Sequence, residues 1–141
     1  FVDKFCALAR ADFASRGILI AFFAAPDVGA ALVDERALHQ VLLNVFANAA
    51  DALEGREAPL IRVSLTRELR RVVLRVADNG VGLTEAQRVN LFKPFHTSKA
   101  HGTGLGLVII KKLITKMHGT VKIDGHAGAG TEVTLVLEGV R

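Results

Sequence analysis

Asp78-Asn79-Gly80-Val81-Gly82-Leu83 and Gly102-Thr103-Gly104-Leu105-Gly106-Leu107 are the two stretches of this 141-residue chain best suited to chemistry. The first ends an apolar strand on a carboxylate and continues at once into glycines. A carboxylate accepts from an exocyclic amine, which adenine offers at N6, where guanine offers a carbonyl. Gly80 and Gly82 would let the backbone pass close to a ring. The second stretch opens an apolar helix, and the first N–H groups of a helix lack internal partners and attract phosphate. Lys99 precedes it, and Thr97, Ser98 and Thr103 add donors. Together the two point to a purine nucleotide site. Taken singly, Asp-Asn-Gly is a common turn, and a lone glycine cluster is a weak fingerprint. No clear strand precedes Gly102 and no Lys-Ser/Thr pair follows Gly106, so neither a Rossmann nor a Walker-type loop fits.

A third stretch adds hard oxygens. Leu38, Val41, Leu42, Val45, Phe46, Ala49 and Leu53 recur at helical steps and make a core face. Asn44, Asn48 and Asp51 lie on the opposite side, a turn apart. From Val41 to Ala50 there is no charge, which argues against free solvation of that second face. Amides buried without partners cost about 1–3 kcal/mol each. Their carbonyl oxygens suit Mg²⁺, which keeps water and shares nucleotide phosphates. The plainer alternative is two helix-surface Asn residues bonded to a neighbouring loop.

These residues need elements to position them. Val2 to Ala14 reads as a helix with Val2, Phe5, Cys6, Leu8, Ala9 and Phe13 on its apolar side, stopped by Gly17. Ile18 to Phe23 reads as a buried strand, and Pro26, Asp27 and Gly29 mark a loop. Asp34 is a good N-cap for the Asn-bearing helix, which Gly55 closes. Ile61, Val63 and Leu65, then Val72, Leu74 and Val76, alternate on either side of a polar turn at Glu68 to Arg71, a hairpin. Asp78 shares parity with Val76 and so leaves the strand on the buried face. Thr84 and Gln87 have capping-box spacing for a short helix to Leu91. Lys93 to Gly102 reads as a mobile loop. Leu105 to Met117 reads as a helix ended by Gly119, and Thr120 to Asp124 and Thr131 to Leu137 as strands. Helices and strands mix without strict alternation. The expected fold class is a two-layer α/β (α+β) sandwich with a mixed five-stranded sheet.

Composition narrows the classes. Half the residues are hydrophobic, enough to fill one core in a chain of this length. No apolar run is long enough to span a bilayer. The single cysteine, Cys6, excludes an internal disulfide and fits a reducing compartment, so a cytoplasmic location is expected. The net charge of +4 raises nucleic acid as a ligand, but no Trp or Tyr offers a stacking platform. The basic residues read as solvated faces of a hairpin and a helix. The five histidines and Cys6 form no metal or nucleophile pattern, though His96 and His101 flank the phosphate-site candidate. The chain opens on Phe1 without a signal-peptide pattern, which predicts a domain excised from a longer protein.

The order of the stretches carries a resemblance. Asn44-x-x-x-Asn48-Ala49-x-Asp51-Ala52, Asp78-x-Gly80-x-Gly82, Phe92-x-Pro94-Phe95 and Gly102-Thr103-Gly104-Leu105-Gly106-Leu107 resemble the N, G1, F and G2 boxes of sensor histidine kinases. Gly128-Ala129-Gly130-Thr131 is similar to that family's closing Gly-Thr segment. The resemblance covers about residues 17–138. The short loop and Ala52-Leu53 look most like the nitrogen-regulation type.

What the resemblance implies is a GHKL-superfamily ATP-binding domain, with about three helices on one face of its sheet and ATP and Mg²⁺ as ligands. Asp78 would hold the adenine amine, Gly80 and Gly82 would line the base, and Thr131 would help through water. Asn48 would be the Mg²⁺ ligand, with Asn44 assisting and Asp51 beside them. Lys93 to Gly102 would be the ATP lid. Lys99 and the backbone of Gly104, Leu105, Gly106 and Leu107 would contact phosphates, with Lys93, Thr97, Ser98, Gly102 and Thr103 around them. Residues 1–16 would connect to an absent dimerisation and phosphoacceptor segment, and 17–141 would be the catalytic domain. No histidine here has the acceptor context, so the acceptor would lie on a histidine-bearing dimerisation domain, with a response regulator served indirectly. The isolated domain would be a monomer and the full-length protein a membrane-anchored or soluble homodimer. This domain would touch neither membrane nor nucleic acid. Two other readings stand beside this one: a conformational ATPase of the same superfamily, and a non-enzymatic signalling module. The first needs a glutamate four residues before the metal-binding Asn, and Asn44 has no useful basicity there.

Overall fold

The computed structural model describes residues 1–89, 92, 106–125 and 128–140. In chain order the elements are α1 (Val2–Ala14), β1 (Leu19–Ala24), β2 (Ala30–Ala31), α2 (Glu35–Leu53), β3 (Leu60–Glu68), β4 (Arg71–Asp78), α3 (Glu85–Val89), α4 (Gly106–Lys116), β5 (Thr120–Gly125) and β6 (Thr131–Val140). The sheet runs β1-β3-β4-β6, with β5 and β2 both pairing β6. Only β1 and β3 are parallel; the other pairs are antiparallel. The mixed five-stranded sheet expected from the alternation is present. Ala30–Ala31 adds a sixth strand, too short to leave a pattern in the sequence.

Period-two burial decides which face of the sheet carries the helices. Ile20, Ile61, Val63, Leu74, Val76, Val133, Leu135 and Leu137 share one buried face and meet α1, α2 and α4 in a single core. α3 buries no residue. In α1, Val2, Phe5, Cys6 and Phe13 are buried, but Leu8 is 76% exposed. Leu8 falls on the flank of the helix, outside the stripe the others make, which corrects its expected place on the apolar side. Phe5 and Phe13 meet Phe46 of α2 edge-on, at centroid distances of 5.0 and 5.8 Å. That geometry adds about 0.5–1.5 kcal/mol per pair beyond area burial.

Local chemistry sets the element ends. Asp34 Oδ1 accepts from the N–H groups of Arg36 and Ala37 at 3.0 and 3.3 Å, satisfying two donors at the start of α2. Thr84 and Gln87 form the reciprocal capping box, Thr84 N to Gln87 Oε1 at 2.8 Å and Gln87 N to Thr84 Oγ1 at 3.2 Å. Gly17 follows α1 with φ of 73°, where only glycine sits without strain. At the end of α4 the expectation needs correcting. His118, not Gly119, takes the left-handed position, with φ of 59°. Gly119 is demanded by space instead, since a Cβ there would lie 2.6 Å from the Val136 carbonyl oxygen.

The β3–β4 turn is strained in the same way. Leu69 adopts φ of 57° while 95% exposed, so its side chain gains nothing from burial. A left-handed conformation costs a non-glycine residue about 1–2 kcal/mol. Leu69→Gly should therefore raise stability by about 0.5–1 kcal/mol after the added unfolded-state entropy is subtracted. Urea unfolding of parent and variant measures this; a less stable variant would disprove the strain.

Candidate functional site

The site is built where β4 ends against α2. Asp78 closes β4 in register with Ile61 on one side and Thr131 on the other. Its carboxylate Oδ1 accepts from the Gly80 N–H at 2.8 Å. Burial pushes the Asp78 carboxyl above its ordinary value, outweighing the backbone N–H groups of Gly80 and Thr131 that stabilise its charge. No ion pair involves it among the described residues. Asp78 is thus a half-buried acceptor with spare lone pairs, suited to an incoming donor.

The turn after Asp78 is docked on the last turn of α2. The Val81 N–H donates to the Ala52 carbonyl at 3.0 Å. A Cβ on Gly80 would lie 2.5 Å from that same oxygen and 2.8 Å from Asp78 Oδ1. Packing against α2 alone therefore requires glycine at 80. At Gly82, φ of 75° makes the demand. Ala52 follows Asn48 by one helical turn, and Asn48 follows Asn44 by another, so the three share a face. Docking on Ala52 brings the turn after Asp78 to the end of α2, with Asn48 about 6 Å back along the axis from Ala52.

That face is open among the described residues. Asn44 and Asn48 are half-buried, and Leu43 is 45% exposed despite the uncharged stretch around it. Asp51 is exposed. Asn44 Oδ1 accepts from Gln40 Nε2 at 3.0 Å. Among the described residues no three His, Cys, Asp or Glu side chains could hold a metal together. Any cation here would depend on amide oxygens and on donors brought by a ligand or water.

The β5–β6 connection closes the other flank. Gly128 N donates to the Val81 carbonyl at 2.7 Å. Gly130, with φ of 85°, lies so close to the Asp78 carbonyl that no Cβ fits. Thr131 pairs directly with Asp78 across the strands. Gly106 begins α4, and Leu107 packs against the core. Lys93, Thr97, Ser98, Lys99, Gly102, Thr103, Gly104 and Leu105 lie outside the described residues, as do Pro94, Phe95, His96, His101 and the expected lid.

Three contributions escaped the sequence reading. The Ala52 carbonyl is backbone and carries no sequence signal. Asn79 looked like a turn residue, but its side chain ties β4 to the start of β3, accepting from Leu60 N at 2.8 Å and donating to the Ala58 carbonyl at 3.0 Å. Arg56, an unremarked surface residue, reaches the carbonyls of Asn79 and Gly128. An open cavity of about 350 Å³ lies elsewhere, lined by Phe92, Val108, Lys111, Lys112, Thr115 and Lys116. It shares no residue with the Asp78 turn or α2. Among the remaining histidines, His39 stacks edge-on against Phe5.

The sequence matches the family described as Histidine kinase-, DNA gyrase B-, and HSP90-like ATPase over residues 33–140. A curated relative, the sensor histidine kinase ZraS of Klebsiella oxytoca, is 39% identical over 92% of this chain and 28% of its own length. Among solved structures, the catalytic domain of histidine kinase ThkA superposes with a TM-score of 0.80 at 25% identity, covering 97% of this chain and 89% of that one. Full-length ShkA in complex with AMPPNP gives a TM-score of 0.80 at 29% identity, over 98% of this chain and 29% of that one. The chain belongs to the histidine kinase-, DNA gyrase B- and HSP90-like ATPase family. Within that family its similarity in sequence and fold is to the ATP-binding catalytic domain of sensor histidine kinases. It spans little more than a quarter of the curated relative's length. No described helix is long and apolar enough to cross a membrane.

Two outcomes follow from this geometry. Gly80→Ala should destabilise the fold by about 1–3 kcal/mol, since backbone rather than a flexible side chain blocks the new methyl; urea unfolding gives the value. For Asp78 the folded carboxyl titrates above 3.8, so between 3.8 and its raised value the native state binds more protons than the unfolded one. Stability relative to Asp78→Asn should therefore fall as pH rises through that window and level off above it. Unfolding measured against pH for both proteins checks the sign, and an opposite slope would refute the desolvation.

Proposed function

We propose that this chain binds Mg-ATP on the face shared by Asp78, Asn48 and Asn44, and supplies the γ-phosphoryl to a histidine on a separate helical domain. The observation that supports it best is the Val81-to-Ala52 docking bond, which ties the turn after the half-buried Asp78 to α2 one helical turn beyond Asn48. Asp78 accepts from the adenine amine, a charge-assisted bond worth about 1.5–3 kcal/mol. Gly80 and Gly82 line the base and Thr131 assists through water. Lys99 and the backbone of Gly104 to Leu107 contact the phosphates, with Lys93, Thr97, Ser98 and Gly102 in the lid and Thr103 after it. Asp51 lies at the edge of the same face.

The donor chemistry fits a magnesium ion. Asn48 and Asn44 carry hard amide oxygens, which suit a cation that arrives with phosphates and water. When bound, Mg²⁺ neutralises charge on the phosphates. The chain's own share is positioning. Asp78 fixes the base, and the helix start orients the triphosphate so that an acceptor imidazole nitrogen can attack phosphorus in line. The N–P bond forms as the bond to the β–γ bridging oxygen breaks, and ADP leaves. Residues 1–16 connect to the segment that bears the acceptor, and 17–141 form the catalytic domain. The full-length protein is then a cytoplasmic-facing homodimer that serves a response regulator.

A thermal shift with Mg-ATP tests the binding. Nucleotide at about 100 times its dissociation constant should add about 2.7 kcal/mol of stability. Asp78→Asn should abolish that shift with the fold intact, and Asn48→Ala should blunt its dependence on magnesium. Phosphoryl transfer to a histidine of a separately supplied helical domain tests the reaction. Rapid ATP turnover without an acceptor would favour the conformational-ATPase reading.

A further inference from the structure

Arg56 lies just beyond α2, past the helix-closing Gly55 with its φ of 76°. Its Nε donates to the Asn79 carbonyl at 3.3 Å and its Nη2 to the Gly128 carbonyl at 3.5 Å. Those carbonyls belong to different segments. Asn79 follows Asp78 in the docked turn, and Gly128 sits in the β5–β6 connection. The two segments are already joined by the Gly128-to-Val81 bond, and each carries a glycine forced by crowding against the other or against α2. One planar guanidinium thus holds both walls beside Asp78 from the solvent side, a fork that lysine cannot reproduce with two directed donors.

We propose that Arg56 is a positioning residue for the base end of the nucleotide site, clasping the Asp78 turn to the β5–β6 connection before ligand arrives. The proposal rests on the site reading above but makes a prediction of its own about the empty protein. Without Arg56 the carbonyls of Asn79 and Gly128 turn to water, and the two walls are joined by the Gly128-to-Val81 bond and the strand pairing of Asp78 with Thr131. The walls then sample separated arrangements, and adenine must reorder them on binding. Among the described residues the side-chain hydrogen bonds of Arg56 go to Asn79 and Gly128, neither of which belongs to α4.

The test uses the whole 141-residue chain with Arg56→Ala and Arg56→Lys. Amide hydrogen exchange without ligand is read at Val81 and Gly128, against Leu74 and Leu135 in the middle of the sheet. Arg56→Ala removes two long, exposed hydrogen bonds and should speed exchange at Val81 and Gly128 by about three- to tenfold, leaving the sheet amides unchanged. Arg56→Lys should recover only part. ADP affinity should fall by a similar factor, about three- to tenfold, while binding of inorganic tripolyphosphate stays at the parent's level. Unchanged exchange at both amides, or equal losses for ADP and tripolyphosphate, would overturn the clasp. If the parent itself bound no ADP, the site reading would fall with the ligand part of this proposal. The exchange result would still decide whether the clasp exists.

Discussion

A single carbonyl oxygen organises this site. The last turn of a helix leaves its C=O groups without intrahelical partners, and at Ala52 that vacancy is filled by the N–H of Val81 at 3.0 Å. The bond satisfies a helix end and a strand end together. It also fixes how far Asp78 stands from the amides one and two turns up the same helix. Everything that follows at the site, from the glycine at 80 to the approach of the β5–β6 connection, is packing around that one contact.

The fixed turn has an energetic side. Asp78 is held where burial disfavours its charge, and two backbone N–H groups restore only part of the lost hydration. Such a carboxylate is a poor stabiliser of the empty fold and a good acceptor for a ligand that brings its own donor. The same half-desolvated setting that raises its protonation makes each remaining hydrogen bond stronger than it would be in water. Stability is given up at the residue proposed to recognise the base.

Much of this was legible from residue types. The Asp34 cap, the Thr84–Gln87 box, the Gly17 stop and the parity of Asp78 are local chemistry, and local chemistry survives folding unchanged. Period-two burial gave the helix-bearing face of the sheet for the same reason. What could not be read depends on tertiary contact. Ala52 acts through backbone, Asn79 and Arg56 act through partners about 20 and 70 residues away, and Leu8 misses the core by a modest rotation around its helix. His118 took the left-handed position expected of Gly119 because the carbonyl of Val136 needed the glycine more. Two demands for glycine met at neighbouring positions, and the steric one won.

Arg10 Nε donates to the Ile20 carbonyl at 3.2 Å, a bond from α1 to a strand that pairs, among the described residues, with β3 alone. β1 is the sheet's border, and the bond occupies one of the groups it would otherwise present to another chain. The same helix covers Phe46 with two aromatic rings. A shortened chain beginning at Gly17 would uncover both at once, baring an apolar hollow beside the open edge of β1, the combination that invites edge-to-edge association and precipitation. The opening helix is therefore a guard on solubility.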